Sequence, residues 1–155
     1  MLKKVLQVAS VASIIEQFDM ANVELLLDMG CEVAVAANFA FGNNTSDEAV
    51  ARFRRRLRDM GVKVFHIPFY RNAMHPGNIR AYKKFSAIPG LADYDLVHCH
   101  SPIGGVIARL ALRKFRQLGC QVAYTAHGFH FYQGAPLANW LMFYPVEKLL
   151  IRYTD

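Results

Sequence analysis

Four of the six histidines fall in two short stretches, "HCHSPIGG" from His98 to Gly105 and "YTAHGFHFYQGAP" from Tyr124 to Pro136. An imidazole can hold a metal, carry a proton near neutral pH or bond a hydroxyl, and spacing decides among these. In an extended strand, alternation places His98 and His100 on one side and Cys99 on the other. With His127 they would be the start of a metal site, and a metal-dependent hydrolase is one function such a trio would serve. The second stretch surrounds His127 and His130 with Phe129, Phe131 and Tyr132, and aromatic faces with polar tips nearby suit sugar rings. Phe129 to Tyr132 would equally brace the helix that follows.

The glycines point the same two ways. "SPIGG" leads into a helix, where Ser101, Gly104 and Gly105 allow free backbone N–H groups to meet an anion or a sugar hydroxyl. The same pair of glycines also suits a tight turn fitted under a neighbouring element. Gly128 lets the backbone after His127 approach a ligand or fold the turn. Elsewhere, Ser10 and Ser13 precede a helix, as N-caps do, and would also present hydroxyls to an anion. Arg71, in "PFYRNAMHPGN" with His75, could hold a carboxylate or phosphate. No GxGxxG follows any strand, so a dinucleotide cofactor loses its main support and none is expected.

Five apolar runs must position these residues: "KVLQVA", "EVAVAA", "VKVFHI", "YDLVHC" and "QVAYTA". They alternate with helical patterns, which is the pattern of a parallel, doubly wound α/β sheet. The helices are expected over Ile14 to Met29, from a Thr45/Glu48 capping box to Gly61, over Asn78 to Ile88, over Gly105 to Leu118, and onward from Pro136. In such sheets ligands bind beyond the carboxyl ends of the strands, where His100 and His127 fall. The last helix, "LANWLMFYPVEKLLIRY", is apolar nearly all round, which predicts burial against another layer or domain.

The chain has 155 residues, 54% apolar and 19% charged, enough for one domain with a real core. Cys31, Cys99 and Cys120 show no CxxC spacing, so no disulfide framework is read and a reducing cytoplasm is the expected location. No run reaches the roughly 20 apolar residues that would cross a bilayer. The formal charge of +6 is concentrated in "AVARFRRRLRDMG", whose Val50, Phe53, Leu57 and Met60 form a helical stripe. Arg54, Arg55 and Arg56 lie off that stripe, as a solvated face or one that meets anionic lipid. Nucleic acid is not expected, because interleaved aromatics and a nucleic-acid motif are absent.

Together, "KKVLQVASVAS" with "LLLDMGCEVAVAAN", "YDLVHCHSPIGGVIARLALRK" and "YTAHGFHFYQGAPLANWLMFYPVEKLLIRYTD" resemble the N-terminal domain of family 4 glycosyltransferases. These are retaining enzymes with two facing Rossmann-like domains, the GT-B architecture, and the likeness is greatest to the branch that builds bacterial capsular and exopolysaccharides. The resemblance implies transfer of a sugar from a nucleotide-sugar donor to a saccharide or lipid-linked saccharide, at the inner face of the cell membrane. It implies that residues 1–155 are the acceptor-side domain and that the donor-binding domain, absent from this sequence, is required for turnover. His127 would then lie beside the transferred sugar, as a positioning and electrostatic residue rather than a nucleophile. Residues around Ser13 would approach the acceptor or donor diphosphate, and His100 with the "SPIGG" turn would line the acceptor side. "VASVAS" lacks the glycine pair of other branches, and "SIIEQFD" stands where near relatives carry a histidine. The alternative is a non-catalytic subunit that docks a separate donor-binding chain through its apolar last helix.

Overall fold

The computed structural model describes residues 3–155. Five parallel strands, β1 (Lys4–Val8), β2 (Glu32–Ala37), β3 (Lys63–His66), β4 (Leu96–His100) and β5 (Gln121–Thr125), form one sheet in the order β3-β2-β1-β4-β5. The order reverses between β1 and β4, and their diverging crossovers open a crevice at the carboxyl edge there. The central strands are mainly apolar because helices cover both faces: Val5, Leu6 and Val8 of β1 and Val35 to Ala37 of β2 are fully buried, as is the polar Gln7.

Helices α1 (Ala12–Phe18), α2 (Met20–Asp28) and α3 (Asp47–Asp59) cover one face, where Val5, Ala12, Ile15, Val23, Phe53 and Leu57 pack together. Helices α4 (Gly77–Ser86) and α5 (Pro102–Leu112) cover the other, around Leu6, Phe69, Phe85, Val97 and Ala108. Helix α3 buries Val50, Phe53 and Leu57 and half-buries Met60, the stripe expected from its spacing.

Three boundaries differ from the sequence reading. The first helix breaks at Asp19, whose backbone leaves helical geometry at ψ −1° while its side chain turns inward and accepts from Asn22. Helix α3 is capped by Ser46, whose hydroxyl accepts from the Ala49 N–H at 3.2 Å, in place of Thr45. Helix α5 starts at Pro102 and stops at Leu112, followed by a single 3₁₀ turn before Gly119 at φ 96°.

Helix α6 (Leu137–Leu150) is the least buried element. Leu150 alone among its residues is buried, while Leu137 and Leu141 stay about 70% exposed (72% and 69%). It is tied down by charge: the buried Arg109 guanidinium bonds Glu147 at 2.9 Å and lies 4.2 Å over the Tyr124 ring. Beyond it, Asp155 accepts from the Val122 N–H at 2.9 Å and donates its own N–H to the Val122 carbonyl at 2.8 Å.

Candidate functional site

A cavity of about 640 Å³ opens at the β1/β4 crevice. It is lined by Ser10 and Val11 after β1, Ile14 of α1, Ser101 to Ile103 at the start of α5, His127, Gly128 and His130 after β5, and Arg71 with Asn44. Backbone geometry brings these together. Ser101 takes φ 68° with ψ 149°, a region that favours glycine, and so turns β4 abruptly into α5. Its Oγ accepts from the Ser10 N–H at 3.0 Å, which locks the two strand ends at the crevice.

The predicted glycines divide by role. A Cβ on Gly104 would stand 3.2 Å from the Ser10 nitrogen, and one on Gly105 would stand 2.7 Å from the Tyr124 ring. Both serve close packing of α5 on the sheet and lie outside the cavity, rather than contacting a ligand. Gly128, at φ 151° with open space around it, lies in the cavity wall.

Ser13 and His100 also sit elsewhere than expected. Ser13 is wholly buried; its N–H donates to Asn43 Oδ1 at 3.0 Å and its Oγ accepts from the Asn44 N–H, so it pins the loop after β2 instead of facing a ligand. Ser10, three residues earlier, takes the place at the cavity. His100 is 2% exposed and lies behind His127, its Nδ1 3.1 Å from His127 Nε2. On its far side His100 Nε2 lies 3.3 Å from Asp19 Oδ1. His127, exposed at the cavity, is also flanked by Phe18, with ring centroids 5.3 Å apart. Burial and the neighbouring His100 lower the His127 pKa, with Asp19 opposing, so the ring is neutral at pH 7.

Asp19 and Phe18 escaped the sequence reading, where they stand only within the stretch "SIIEQFD". A signal was present: Ile15, Asp19 and Val23 stand four apart, which puts a carboxylate on a stripe otherwise headed for the core.

The cluster with metal-ligand spacing contains Asp19 in the place expected for His127. Ligand atoms of Asp19, His98 and His100 lie within 4.8 Å of one another, a set that excludes His127. These donors already face protein: His98 Nε2 bonds Thr125 Oγ1 at 2.8 Å, and both His100 nitrogens point at neighbours. Burial and the adjacent His100 push the His98 pKa down to about 4.

Of the aromatics after His127, Phe131 packs against Trp140 and Tyr144, and His130 against Phe143, all on α6. Asn139 and Trp140 donate to the carbonyls of His130 and Tyr132, so the stretch braces α6, and His130 reaches the cavity as well. Arg71 is exposed in the wall, 3.4 Å from Asn44 Oδ1. On α3, Arg54 is half-buried over Phe39 (5.6 Å) and Arg56 pairs with Glu24 at 2.8 Å, while Arg55 faces solvent. The three cysteines are buried and form no disulfide, and burial raises the Cys99 thiol to about 12, which marks a packing residue. Among the described residues no helix is long and apolar enough to cross a membrane.

This geometry can be set beside known proteins. The fold is shared with the crystal structure of Acinetobacter baumannii MurG, at a TM-score of 0.53 and 21% identity over 80% of this chain and 34% of that one. Over all 155 residues the chain is 42% identical to the Bacillus subtilis (strain 168) protein named "Putative glycosyltransferase EpsD", and it spans 37% of that relative's length. Residues 20–155, from the Asp19 break through the "HCHSPIGG" and "HGFH" stretches to Asp155, match the glycosyl transferase 4-like domain, and the chain belongs to that family.

Proposed function

We propose that this chain is the acceptor-binding half of a glycosyltransferase that moves a sugar from a nucleotide-sugar donor to a saccharide or lipid-linked saccharide in bacterial polysaccharide synthesis. The observation that carries this reading is the cavity at the topological switch point, with His127 and His130 on one wall and Ser10, Ser101 and Arg71 around it. Hydroxyls and a neutral imidazole suit sugar hydroxyls, and Arg71 suits an anionic group on either substrate. On this reading a second Rossmann-like domain binds the nucleotide and stabilises the leaving diphosphate as its charge develops. The expected setting is the cytoplasmic face of the membrane.

The test is sugar transfer by the full-length protein with His127→Ala, against wild type. A fall in kcat of about a hundredfold is expected from losing a positioned polar group at the reacting sugar; an unchanged rate overturns the reading. A non-catalytic docking subunit is the second reading, favoured by the exposed apolar surface of α6. It predicts that transfer requires a separate chain, which co-purification followed by an activity assay would reveal.

A further inference from the structure

We propose that Asp19, acting through His100, fixes the tautomer of His127, so that His127 offers the cavity a hydrogen-bond acceptor at Nδ1 and selects a hydroxyl over an anion. Asp19 is here a positioning residue, and the inference concerns proton placement within the site proposed above.

Asp19 is wholly buried at the head of α2, where the helix dipole favours a carboxylate and Asn22 donates to Oδ1 at 2.8 Å. A carboxylate oxygen accepts, so in the proposed order the nitrogen that faces Asp19 Oδ1 carries a hydrogen. That nitrogen is His100 Nε2, at 3.3 Å; the alignment is poorer than a hydrogen bond's, and the contact is mainly electrostatic. On this proposal His100 carries a single N–H, which leaves its Nδ1 with the lone pair. It then accepts from His127 Nε2 at 3.1 Å, which puts the single His127 hydrogen on Nε2 and the lone pair on Nδ1.

His98 packs on His100 with ring centroids 4.1 Å apart and stays neutral down to about pH 4, its Nε2 meeting Thr125. The His127 pKa is lowered as well, so the chain holds at pH 7. A sugar hydroxyl can donate to Nδ1, whereas a phosphate oxygen has nothing to donate. Two nearby facts fit a closed polar cluster with no spare donor: Asp19 Oδ2 is buried without a hydrogen bond, and Phe18, the residue before Asp19, is the ring beside His127.

The experiment is nitrogen-15 NMR of the histidine-labelled chain, which reads which ring nitrogen is protonated and how fast that proton exchanges with water. Wild type should show slowly exchanging protons on Nε2 of both His100 and His127. Asp19→Asn, whose side-chain carbonyl can still accept, should keep them, while Asp19→Leu should lose the slow exchange at both rings. A proton on Nδ1 of His100 in wild type overturns the proposal, as does slow exchange that survives in a folded Asp19→Leu variant. If Asp19→Leu does not fold, His100→Phe replaces it: His127 Nε2–H should then exchange fast, and persistence of slow exchange overturns the inference. If neither variant folds, the wild-type assignment alone decides. These resonances do not depend on sugar transfer, so an inactive full-length protein with the expected tautomers counts against the transferase reading and leaves the proton order standing.

Discussion

Ser101 Oγ accepts a hydrogen bond from the backbone N–H of Ser10 at 3.0 Å, joining the end of β4 to the end of β1 across the crevice. Both residues are buried, and Ser101 holds φ 68° to make the contact. Local strain of this kind costs about 1–3 kcal/mol, and the bond with its surroundings offsets it.

Ser101→Ala keeps the strain and leaves the Ser10 N–H unpaired, so it should destabilise the fold by about 1–3 kcal/mol. Ser101→Gly loses the same acceptor but relieves the backbone, and should lie within about 1 kcal/mol of wild type. Urea unfolding of both variants checks the order. Equal losses would show that the strained backbone contributes nothing.

Glu147→Ala should be among the most damaging single changes away from the cavity. It strands the buried Arg109 guanidinium, otherwise bonded to Glu147 at 2.9 Å and to the Gly105 carbonyl at 3.1 Å. Breaking one side of a buried pair costs about 3–5 kcal/mol. Replacing both partners, Arg109→Met with Glu147→Leu, should recover much of the loss in thermal melts, since no orphaned charge remains.

Stability should fall on the acid side of neutrality through His98. Its folded pKa, about 4, lies below its ordinary 6.5, so the unfolded chain binds the proton more readily. The stabilisation attached to this group is complete above pH 6.5 and is lost as pH drops from 6.5 towards 4. His98→Gln should flatten that limb in urea midpoints taken at pH 7 and pH 5. An equally steep limb in the variant would overturn this assignment to His98.

The sheet and its helical stripes were legible because apolar runs and 3.6-residue periodicity are local properties. The second strand, "EVAVAA", runs from Glu32 to Ala37 as read. His127 at the carboxyl edge was legible for the same reason, since it follows directly on an apolar strand. Ser13 and Ser10 were not separable: both precede the first helix, and only the path of the chain decides which one turns to the cavity. The role of Asp19 depends on its meeting with His100, 81 residues away by number, and no local pattern encodes such a pairing. The two glycines of α5 were readable as permissive residues, but Tyr124 and Ser10 as the neighbours that require them come from the fold.

Charge reversal on α3 tests the membrane expectation. Arg54 covers Phe39 and Arg56 pairs with Glu24, so the exposed Arg55 and Arg58 are the cleaner targets. Each cation near an anionic surface contributes about 1 kcal/mol. Arg55→Glu with Arg58→Glu should therefore weaken co-sedimentation of the full-length protein with phosphatidylserine vesicles by at least about tenfold at low salt. Undiminished binding would remove α3 from any lipid contact.

The pair of bonds between Asp155 and Val122 has a meaning for self-association. Among the described strands β5 is the outermost on its side, and an outermost strand presents unpaired backbone groups to any strand that drifts past. At Val122 both outward groups are already taken by Asp155, so a foreign strand cannot add along β5 without first displacing that residue. The opposite edge, β3, is only four residues long and begins with the exposed Lys63. Among the described residues the two margins thus differ in kind, a chain segment at β5 and brevity with charge at β3, and Asp155→Ala, which removes the acceptor of the Val122 N–H while keeping the backbone donor, is the substitution expected to loosen the first.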